Sequence, residues 1–580
     1  MDRMTLWNRN NSLRNLFQSE ILFALPEWKK RCFTLRMLPG KKGIPEYVYA
    51  YAVKNSLSVG CFLSREDFAV IANEEKYRKN FIFEPFLSSG NCEEWNLSGI
   101  KKSFETLKNG LSRGVFLSAR PGKKEKRLLE EHSFLYAVNN GFSSAARIST
   151  EPYAQQNSAI NGEYNSEQLE NFCKSDPYGG VFGCFSILLD ENLTEEIWFE
   201  KVLPLLERLK EAAIVCLDDE RICEYMLSLK SLRVSVDSTV AENISAEDLY
   251  LIVNGKELLL APGEKLFIRR KNLQGESCAS TSLSPEEKWD FEVRKKEKKL
   301  FSNRNVEKFS DGTLFFPGGC RKALSFSYDD GNKQDKDLIR ILDKYGMKGT
   351  FNLNSAGVLD SMKVFGEEWD IKIYAGHEVA GHGLYHHSFA AHTPSHVATC
   401  LYMDRLILES FLNDILCGHA YSNGTYSGAA TYARELLAAN RYIYARGAAS
   451  TANFDLPEDF FIWEQTCHHN MGILALADRF LQESEEGDLK AFTVWGHVSE
   501  LVRDNAFDMM DEFCCKLSGK EKYIWYATNK EICEYVLASR CLIWSEDRSM
   551  VKNPSSITLF MAVDGFLTEL APGKTLSLKK

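Results

Sequence analysis

Short runs of apolar residues separated by turn residues recur along the chain, a pattern typical of strands buried in an α/β core. In the second half, residues 322–328 (KALSFSY) form such a run and lead into the polar triplet 329–331 (DDG). A later run, residues 492–498 (FTVWGHV), contains Gly496 and His497. We therefore predict two buried strands that carry polar, chemically useful side chains near their C-terminal ends.

An internal repeat divides the chain. Residues 222–268 align without a gap on residues 532–578, with a constant offset of 310 and 18 identities in 47 positions. In the second copy, the spacing predicts a helix over 530–538 and a strand over 557–563, followed by a hairpin turn at Asp564-Gly565. The period is too long for a solenoid, so the repeat indicates duplication of a unit of about 300 residues.

The repeat and a charged segment together predict the domain organisation. Residues 282–305 are charged and have no apolar period, which is typical of a boundary between units. We expect a degenerate, non-catalytic α/β domain over 1–275, a charged linker over 276–310, a catalytic domain over 311–548, and a small β appendage over 549–580 that repeats 239–270. The first domain either helps to shape a substrate cleft or is a spectator joined by the linker.

Composition narrows the class of protein. The 580 residues are 44% hydrophobic and 26% charged with a net charge of −10, which is an ordinary globular balance without the basic stripe of a nucleic-acid-binding protein. The longest apolar stretch, 179–189, is too short to cross a bilayer, and the N-terminus has no export signal. The 16 scattered cysteines favour a reducing compartment. We expect a cytoplasmic protein with neither a nucleic-acid nor a membrane partner.

Candidate chemistry is concentrated in the second half, which holds ten of the eleven histidines. His382 and His386 are four apart, a spacing that places two imidazoles on one side of a helical turn and suits a divalent metal. A carboxylate from a strand end would complete such a site, and Asp330 is the candidate. Its neighbour Asp329 is then free to take a proton. In the repeat, the Asp218-Asp219 pair of the first half aligns with neither Asp329 nor Asp330, and it is interpreted as surface charge.

Three further segments could contribute to a site. The loop 418–427 (GHAYSNGTYS) could turn backbone N–H groups towards a substrate oxygen, although such loops are often only turns. Trp463 suits a core position and a pocket wall equally well. His468-His469 could either support residues of a site or be merely buried, and we interpret them as buried. His497, near the end of its strand, suits a cleft; the repeat, with a three-residue gap, aligns Cys184 with it.

Taken in order, these segments resemble the NodB-homology polysaccharide deacetylases, carbohydrate esterase family 4, over residues 322–545. The segment 327–331 (SYDDG) resembles the first motif of that family, and 377–387 (HEVAGHGLYHH) resembles the second. The WGH element at 495–497 resembles the last. The resemblance implies a distorted (β/α) barrel with its site at the C-terminal ends of the strands.

The resemblance also implies roles for particular residues. It makes Asp329 the general base and His497 the general acid. It implies one divalent metal ion, Zn²⁺ by preference with Co²⁺, Ni²⁺ or Mn²⁺ as alternatives. The implied metal ligands are Asp330, His382 and His386. The implied substrate-binding residues are Asn423, Tyr421 and Trp463. The family's third motif usually has an arginine that orients the catalytic aspartate, and Ala420 stands in its place here.

The expected activity is metal-dependent deacetylation of an N-acetylated sugar or oligosaccharide, with an acetylated saccharide as the partner. Two alternatives stay open: hydrolysis of another small amide, as in allantoinase-like or formamide-cleaving enzymes, and non-catalytic carbohydrate binding. The altered third motif favours the non-catalytic alternative, whereas the complete set of metal ligands argues against it.

Overall fold

The computed structural model describes most of the chain between residues 21 and 578. The described residues are 21–29, 31–39, 43–64, 67, 71, 75–87, 95–108, 110–142, 155–174, 183–253, 255–268, 279–280, 306–358, 371–424 and 430–578. Most of the predicted linker 276–310 lies outside them. Among the described residues, no helix is both long and apolar enough to span a bilayer.

The first half contains a mainly parallel sheet, two small antiparallel sheets and surrounding helices. Its strands, β1 to β17, are Ile21–Ala24, Arg31–Met37, Val59–Leu63, Phe81–Leu87, Gly114–Leu117, Tyr136–Phe142, Gln155–Asn157, Ala159–Ile160, Glu163–Tyr164, Gly183–Leu189, Val215–Cys216, Leu232–Val234, Val240–Asn243, Leu249–Val253, Lys256–Leu260, Lys265–Ile268 and Ala279–Ser280. Its α-helices, α1 to α7, are Glu46–Lys54, Leu97–Lys108, Lys123–Glu131, Ser166–Lys174, Glu195–Ile197, Leu203–Glu211 and Asp219–Lys230.

The second half has the same kinds of sheets. Its strands, β18 to β32, are Leu314–Phe315, Lys322–Asp330, Gly349–Leu353, Glu378–Gly381, Gly418–Ala420, Tyr444–Ser450, Trp463–Gln465, Cys467–His468, Lys490–His497, Ile524–Tyr526, Ile543–Trp544, Met550–Lys552, Leu559–Val563, Phe566–Leu570 and Thr575–Ser577. Its α-helices, α8 to α14, are Asp335–Lys344, Pro394–Leu412, Ala430–Ala439, Ile473–Gln482, Val498–Arg503, Phe507–Leu517 and Asn529–Arg540.

The large sheet of the second half comes close to a closed barrel. Its strand order is β24-β23-β22-β21-β20-β19-β26-β25, with β27 beside β19, and adjacent strands in this order pair in parallel. The two end strands, β24 and β25, are consecutive in the chain and are separated by Thr466 alone. A sheet whose ends are joined by one residue must curl round on itself, because its edges cannot move apart. The α/β class is thus confirmed, and this curvature gathers the C-terminal ends of the strands.

Burial on both faces explains why β19 is an interior strand of this sheet. Its first eight residues are all buried. Leu324, Phe326 and Tyr328 belong to the main core of this half, whereas Ser325 and Ser327, which alternate with them, are buried on the opposite face. Large apolar side chains therefore cover one face of the strand, and small polar side chains are enclosed on the other.

The large sheet of the first half follows a matching order, β7-β6-β5-β4-β3-β2-β10-β8-β9, with β11 beside β2. Strand β11 places Val215 opposite Cys32, and β27 places Trp525 opposite Ala323. Val215 and Trp525 are separated by the repeat offset of 310. Cys32 in β2 therefore corresponds to Ala323 in β19, which gives a residue-by-residue register between the two sheets.

The two halves touch through their small β sheets. The amide of Ala246 donates to the carbonyl of Pro554 (3.2 Å), and the amide of Ser556 donates to the carbonyl of Ile244 (3.1 Å). Ala246 and Ser556 are separated by the repeat offset of 310, as are Ile244 and Pro554, so the two hydrogen bonds are equivalent under the repeat. The contact therefore has a local two-fold relation, with equivalent segments facing each other.

One expectation about the first half is wrong. Asp219 is not surface charge: it is 4% exposed and accepts a hydrogen bond of 2.8 Å from Arg36 Nε, itself buried. Asp218 caps α7 by accepting from the amide of Arg221. Neither carboxylate is available to bind a ligand from solvent, because each already serves the fold.

Candidate metal centre and active site

Asp329 and Asp330 lie at the C-terminal end of β19 and both face the same group of histidines. Successive side chains of a strand point to opposite faces. Asp330 escapes this alternation because its φ is +79°, and Gly331 follows with a φ of +71°. The left-handed turn swings the Asp330 carboxylate back over the strand end, so that two adjacent residues can do different work in one site.

The structure brings the three predicted metal ligands close together. Asp330 Oδ1 lies 3.6 Å from His382 Nε2 and 3.7 Å from His386 Nε2, and all three ligand atoms are within 4.8 Å of one another. The reason given for the histidine spacing is wrong, however, because these residues lie in a loop after β21 and not on a helix. The chain turns at Gly383 (φ +85°) and at His386 (φ +58°), which brings the second imidazole back over the first.

The state of His382 fits a metal ligand. Its Nδ1 is 2.9 Å from the carbonyl oxygen of Ala420, which can only accept, so Nδ1 carries the proton. Nε2 is then a bare lone pair, buried with the rest of the side chain, and has no hydrogen-bond partner. A buried acceptor without a donor is costly, and a divalent cation would satisfy it. Burial lowers the pKa of His382, which keeps the imidazole neutral.

Asp329 has one oxygen held and one directed into the site. Oδ1 accepts from Asn352 Nδ2 (2.8 Å) and from Arg446 Nη2. Oδ2 faces His382 Nε2 at 3.8 Å and His497 Nε2 at 4.0 Å. Burial alone would raise the pKa of Asp329, but Arg446 and then His382 and His497 outweigh it and hold the pKa below its ordinary value. The carboxylate is therefore a fixed, ionised group with one free oxygen.

Arg446 is the residue that sequence reasoning missed. It lies on β23, is fully buried, donates through Nε to Ser327 Oγ (3.1 Å), and stacks over the ring of Trp495 with 5.0 Å to the ring centroid. An arginine thus contacts the aspartate although Ala420 occupies the third-motif position. The sequence signal for Arg446 is that it is the one charged residue of strand 444–450 (YARGAAS), whose other residues are mostly small.

His497 closes the site on the side opposite the histidine loop. Its Nε2 lies 3.9 Å from Asp330 Oδ2, and its Nδ1 lies 3.2 Å from Glu500 Oε2. Glu500 also accepts from His468 Nε2 at 2.9 Å. Burial would raise the pKa of Glu500, but the two histidines outweigh it and lower the pKa. The ionised Glu500 fixes the ring of His497, and its position three residues after His497 is the only sequence signal for it.

Of the three predicted substrate-binding residues, one is exposed to solvent and two are buried. Asn423 is exposed, with a φ of +60°, in a turn whose Ser422 Oγ donates to the carbonyl of His382. Tyr421 is 2% exposed, and its hydroxyl donates to the carbonyl of Phe461. Trp463 is 1% exposed and packs in the core, so of its two predicted positions the core one is observed.

The Trp463 position has a simple physical cause. Its ring lies against Tyr444 and Phe460, with centroids 5.7 and 5.0 Å away, within an apolar core. Trp495 is half-buried and lies beside the site, 5.9 Å from the ring of His497. The strand registers place both tryptophans on the face of the sheet that carries Arg446, so their positions along the strands distinguish them, and local sequence does not show those positions.

The alignment of Cys184 with His497 is also wrong. Strand β10 places Cys184 opposite Cys32, and β26 places Ala491 opposite Ala323. Because Cys32 corresponds to Ala323, Cys184 corresponds to Ala491. The same register assigns Asp190 to the position of His497, so the first half has a carboxylate there and no imidazole.

Comparison with known proteins bears on the second half of the chain. The family model described as polysaccharide deacetylase matches residues 318–440. No curated protein sequence matches the chain.

Solved structures also resemble this chain, at low identity. A peptidoglycan deacetylase from Bacillus subtilis is 18% identical, with 38% of this chain and 93% of that chain covered and a TM-score of 0.26. PuuE allantoinase is 12% identical, with 40% and 95% covered and a TM-score of 0.31. A pseudoenzyme of carbohydrate esterase family 4 from Bacillus anthracis is 14% identical, with 39% and 70% covered and a TM-score of 0.27.

The matched segment 318–440 contains Asp329, Asp330, His382 and His386, the residues on which the resemblance to this family was based. That resemblance is confirmed: residues 318–440 of this chain match the polysaccharide deacetylase family model.

Proposed function

We propose that the second half of this chain hydrolyses the acetyl group of an N-acetylated sugar or oligosaccharide, with a divalent metal held by Asp330, His382 and His386. The observation that carries the proposal is the state of Asp329, whose Oδ1 is anchored and whose Oδ2 is free beside the ligand group. A non-catalytic binding protein has no need of an ionised, buried carboxylate aimed at a metal site.

The chemistry of the bound ion would be that of a Lewis acid, which polarises the acyl carbonyl and makes water more acidic. Asp329 Oδ2 takes the proton of the attacking water, since Oδ1 is occupied by Asn352 and Arg446. His497 protonates the leaving nitrogen through Nε2, while Nδ1–H donates to Glu500, which keeps the ring oriented. The exposed turn at Asn423 offers its backbone N–H to the developing oxyanion.

Metal analysis of the purified full chain, combined with an assay for amine release from N-acetylated sugars, tests the proposal. Acetate release from O-acetylated sugars and cleavage of allantoin and formamide serve as comparison substrates. Amine release that is lost with a chelator and restored by metal would support the deacetylase. Release of product from allantoin or formamide alone would favour the small-amide alternative, and stable metal binding without any hydrolysis would favour the binding protein.

His497 can be tested separately from the metal. We expect His497→Ala to retain metal but to lose deacetylation of an acetamido sugar by about 10²–10⁴-fold, because the leaving amine is no longer protonated. The loss should be much smaller with an aryl acetate, whose leaving group needs no proton. Parallel rates on both substrates give the measurement. An equal loss on the amide and on the ester would mean that His497 only supports the structure.

We also infer that residues 1–275 form a non-catalytic domain related to the second half by duplication. The shared strand order and the common register support this inference. Counted along the strands, that register places Leu38 at the position of Asp329 and Phe86 at the position of His382. Leu38 and Phe86 pack in one apolar cluster, which cannot bind a metal.

The position of the described contacts favours a bracing domain over one that shapes the cleft. Lys265 pairs with Asp414 at 2.5 Å, and the amide of Val236 donates to Glu409 at 2.6 Å. Asp414 precedes β22, so it lies at the N-terminal ends of the parallel strands, whereas the site lies at their C-terminal ends. The first half therefore supports the opposite end of the barrel.

Arg233 provides the test of this bracing contact. It lies in the first half, is mostly buried, and pairs with Glu534 of the second half. We expect Arg233→Ala to lower the free energy of unfolding by about 1–3 kcal/mol, because Glu534 loses its partner, and to leave KM for the acetylated substrate unchanged. Thermal unfolding and steady-state kinetics measure the two effects. A raised KM at unchanged stability would instead assign the first half to the substrate cleft.

A further inference from the structure

We propose that His387, His392 and His396 form a second site for a late first-row divalent metal such as Zn²⁺, separate from the site of Asp330, His382 and His386. One ring nitrogen of each of the three lies within 4.8 Å of the other two, and the two groups have no residue in common. The proposal does not depend on deacetylase activity, because none of the three histidines has a part in it.

The three imidazoles are stacked together as a group. The ring centroids of His387 and His392 are 4.6 Å apart, those of His392 and His396 are also 4.6 Å apart, and those of His387 and His396 are 6.0 Å apart. Three protonated rings at these distances would repel one another. Neutral imidazoles that converge without intervening carboxylates are the ligands that zinc, copper, nickel and cobalt prefer over magnesium or calcium.

The backbone holds these histidines in place before any ion binds. His392 follows the short 3₁₀ turn Phe389–Ala391, where Phe389 is buried in the core and its carbonyl accepts a hydrogen bond from Tyr432. Thr393 then caps helix α9 by accepting from the amide of His396. Two of the three ligands are therefore fixed by core packing and by a helix cap, and His387 closes the group from the loop after β21.

Cys400, one helical turn after His396, has its Sγ 3.4 Å from His396 Nε2 and adds a soft atom at the edge of the group. All three ligands are half-buried or exposed, so an ion can enter from solvent. Once bound, it would tie the loop that carries His386 to the first turn of α9.

The test uses the full chain, stripped with a chelator, reloaded with Co²⁺ and freed of excess metal by gel filtration. We expect two ions per chain in the wild type, one in His392→Ala/His396→Ala, and one in His382→Ala. His132→Ala, a half-buried histidine of the first half, is the matched control and should keep two. The single variant His392→Gln, checked by circular dichroism, covers the case in which the double variant does not fold.

The outcomes separate this site from the proposed catalytic one. One ion in the wild type that disappears in His382→Ala, or two ions that persist in both the double variant and His392→Gln, would overturn the second site. Two ions in the wild type, reduced to one only by substitution of His392 and His396, would support the second site. That support would hold even if His382→Ala kept both ions, although this last result would refute the proposed catalytic metal ligands.

Discussion

Replacing His382 with alanine is expected to remove one equivalent of bound divalent metal and to reduce deacetylation to the background rate. His382 is the ligand whose geometry is most constrained, because its Nδ1–H is held by the carbonyl of Ala420 and its Nε2 is buried without another partner. The fold should survive, because the core of this half consists of apolar side chains that do not contact the ion.

Metal content by mass spectrometry, amine release and thermal unfolding measure the three parts of this prediction on the same sample. His132→Ala, from the other half of the chain, is the control and should change neither metal content nor activity. Full metal content in His382→Ala would remove the ligand assignment. Loss of the folded state would mean that the ion is a structural component, contrary to the expectation.

Asp329→Asn is expected to keep its metal and to lose turnover by about 10²–10⁴-fold, the range associated with a positioned general base. The amide retains the size of the carboxylate and can still accept from Asn352 or Arg446, but it cannot take a proton. Metal analysis and single-turnover rates provide the measurement. Wild-type turnover in this variant would assign the base to another group.

Arg446→Met is the companion variant, since it removes the positive charge of the guanidinium and leaves the Asp329 carboxylate in place. A carboxylate that stays buried without its guanidinium has a higher pKa, so the low-pH limb of the rate profile should move to higher pH. The relative loss of activity should therefore grow as the pH falls. In the Asp329→Asn background the same substitution should have no such pH dependence, because no carboxylate remains to titrate. An unshifted profile in Arg446→Met alone would show that Arg446 does not tune Asp329.

The residues behind these two predictions differ in how far the sequence alone reveals them. The proposed metal ligands were recognisable from it, because motif spacing and the identity of Asp330, His382 and His386 are visible in the linear order. Arg446 was not, since 117 positions separate it from Asp329 and only the curvature of the sheet brings β23 over the end of β19. The sequence has Ala420 where the resemblance places the arginine that orients Asp329, whereas the structure pairs Asp329 with Arg446 from another strand.

The two tryptophans show a related limit. Trp463 and Trp495 both belong to strands with several large side chains, and nothing local distinguishes the ring that packs in the core from the ring that lies beside the site. Both lie on the face of the sheet that carries Arg446, because Trp463 pairs with Arg446 and Trp495 pairs with Ser327, which accepts a hydrogen bond from Arg446. Pairing with neighbouring strands fixes how close each ring lies to the site, and pairing is a long-range property.

The sequence by itself determined the α/β class, the repeat at an offset of 310, the strand that carries Asp329 and Asp330, and the family of residues 318–440. Each of these depends on residues close together in the chain or on a direct match between segments. Only the tertiary structure decided that Arg446 contacts Asp329, that Glu500 contacts His497, that Trp463 is core, and that Lys265 of the first half pairs with Asp414 before β22. These features arise from contacts between distant segments, and local pattern carries no information about which distant residues will meet.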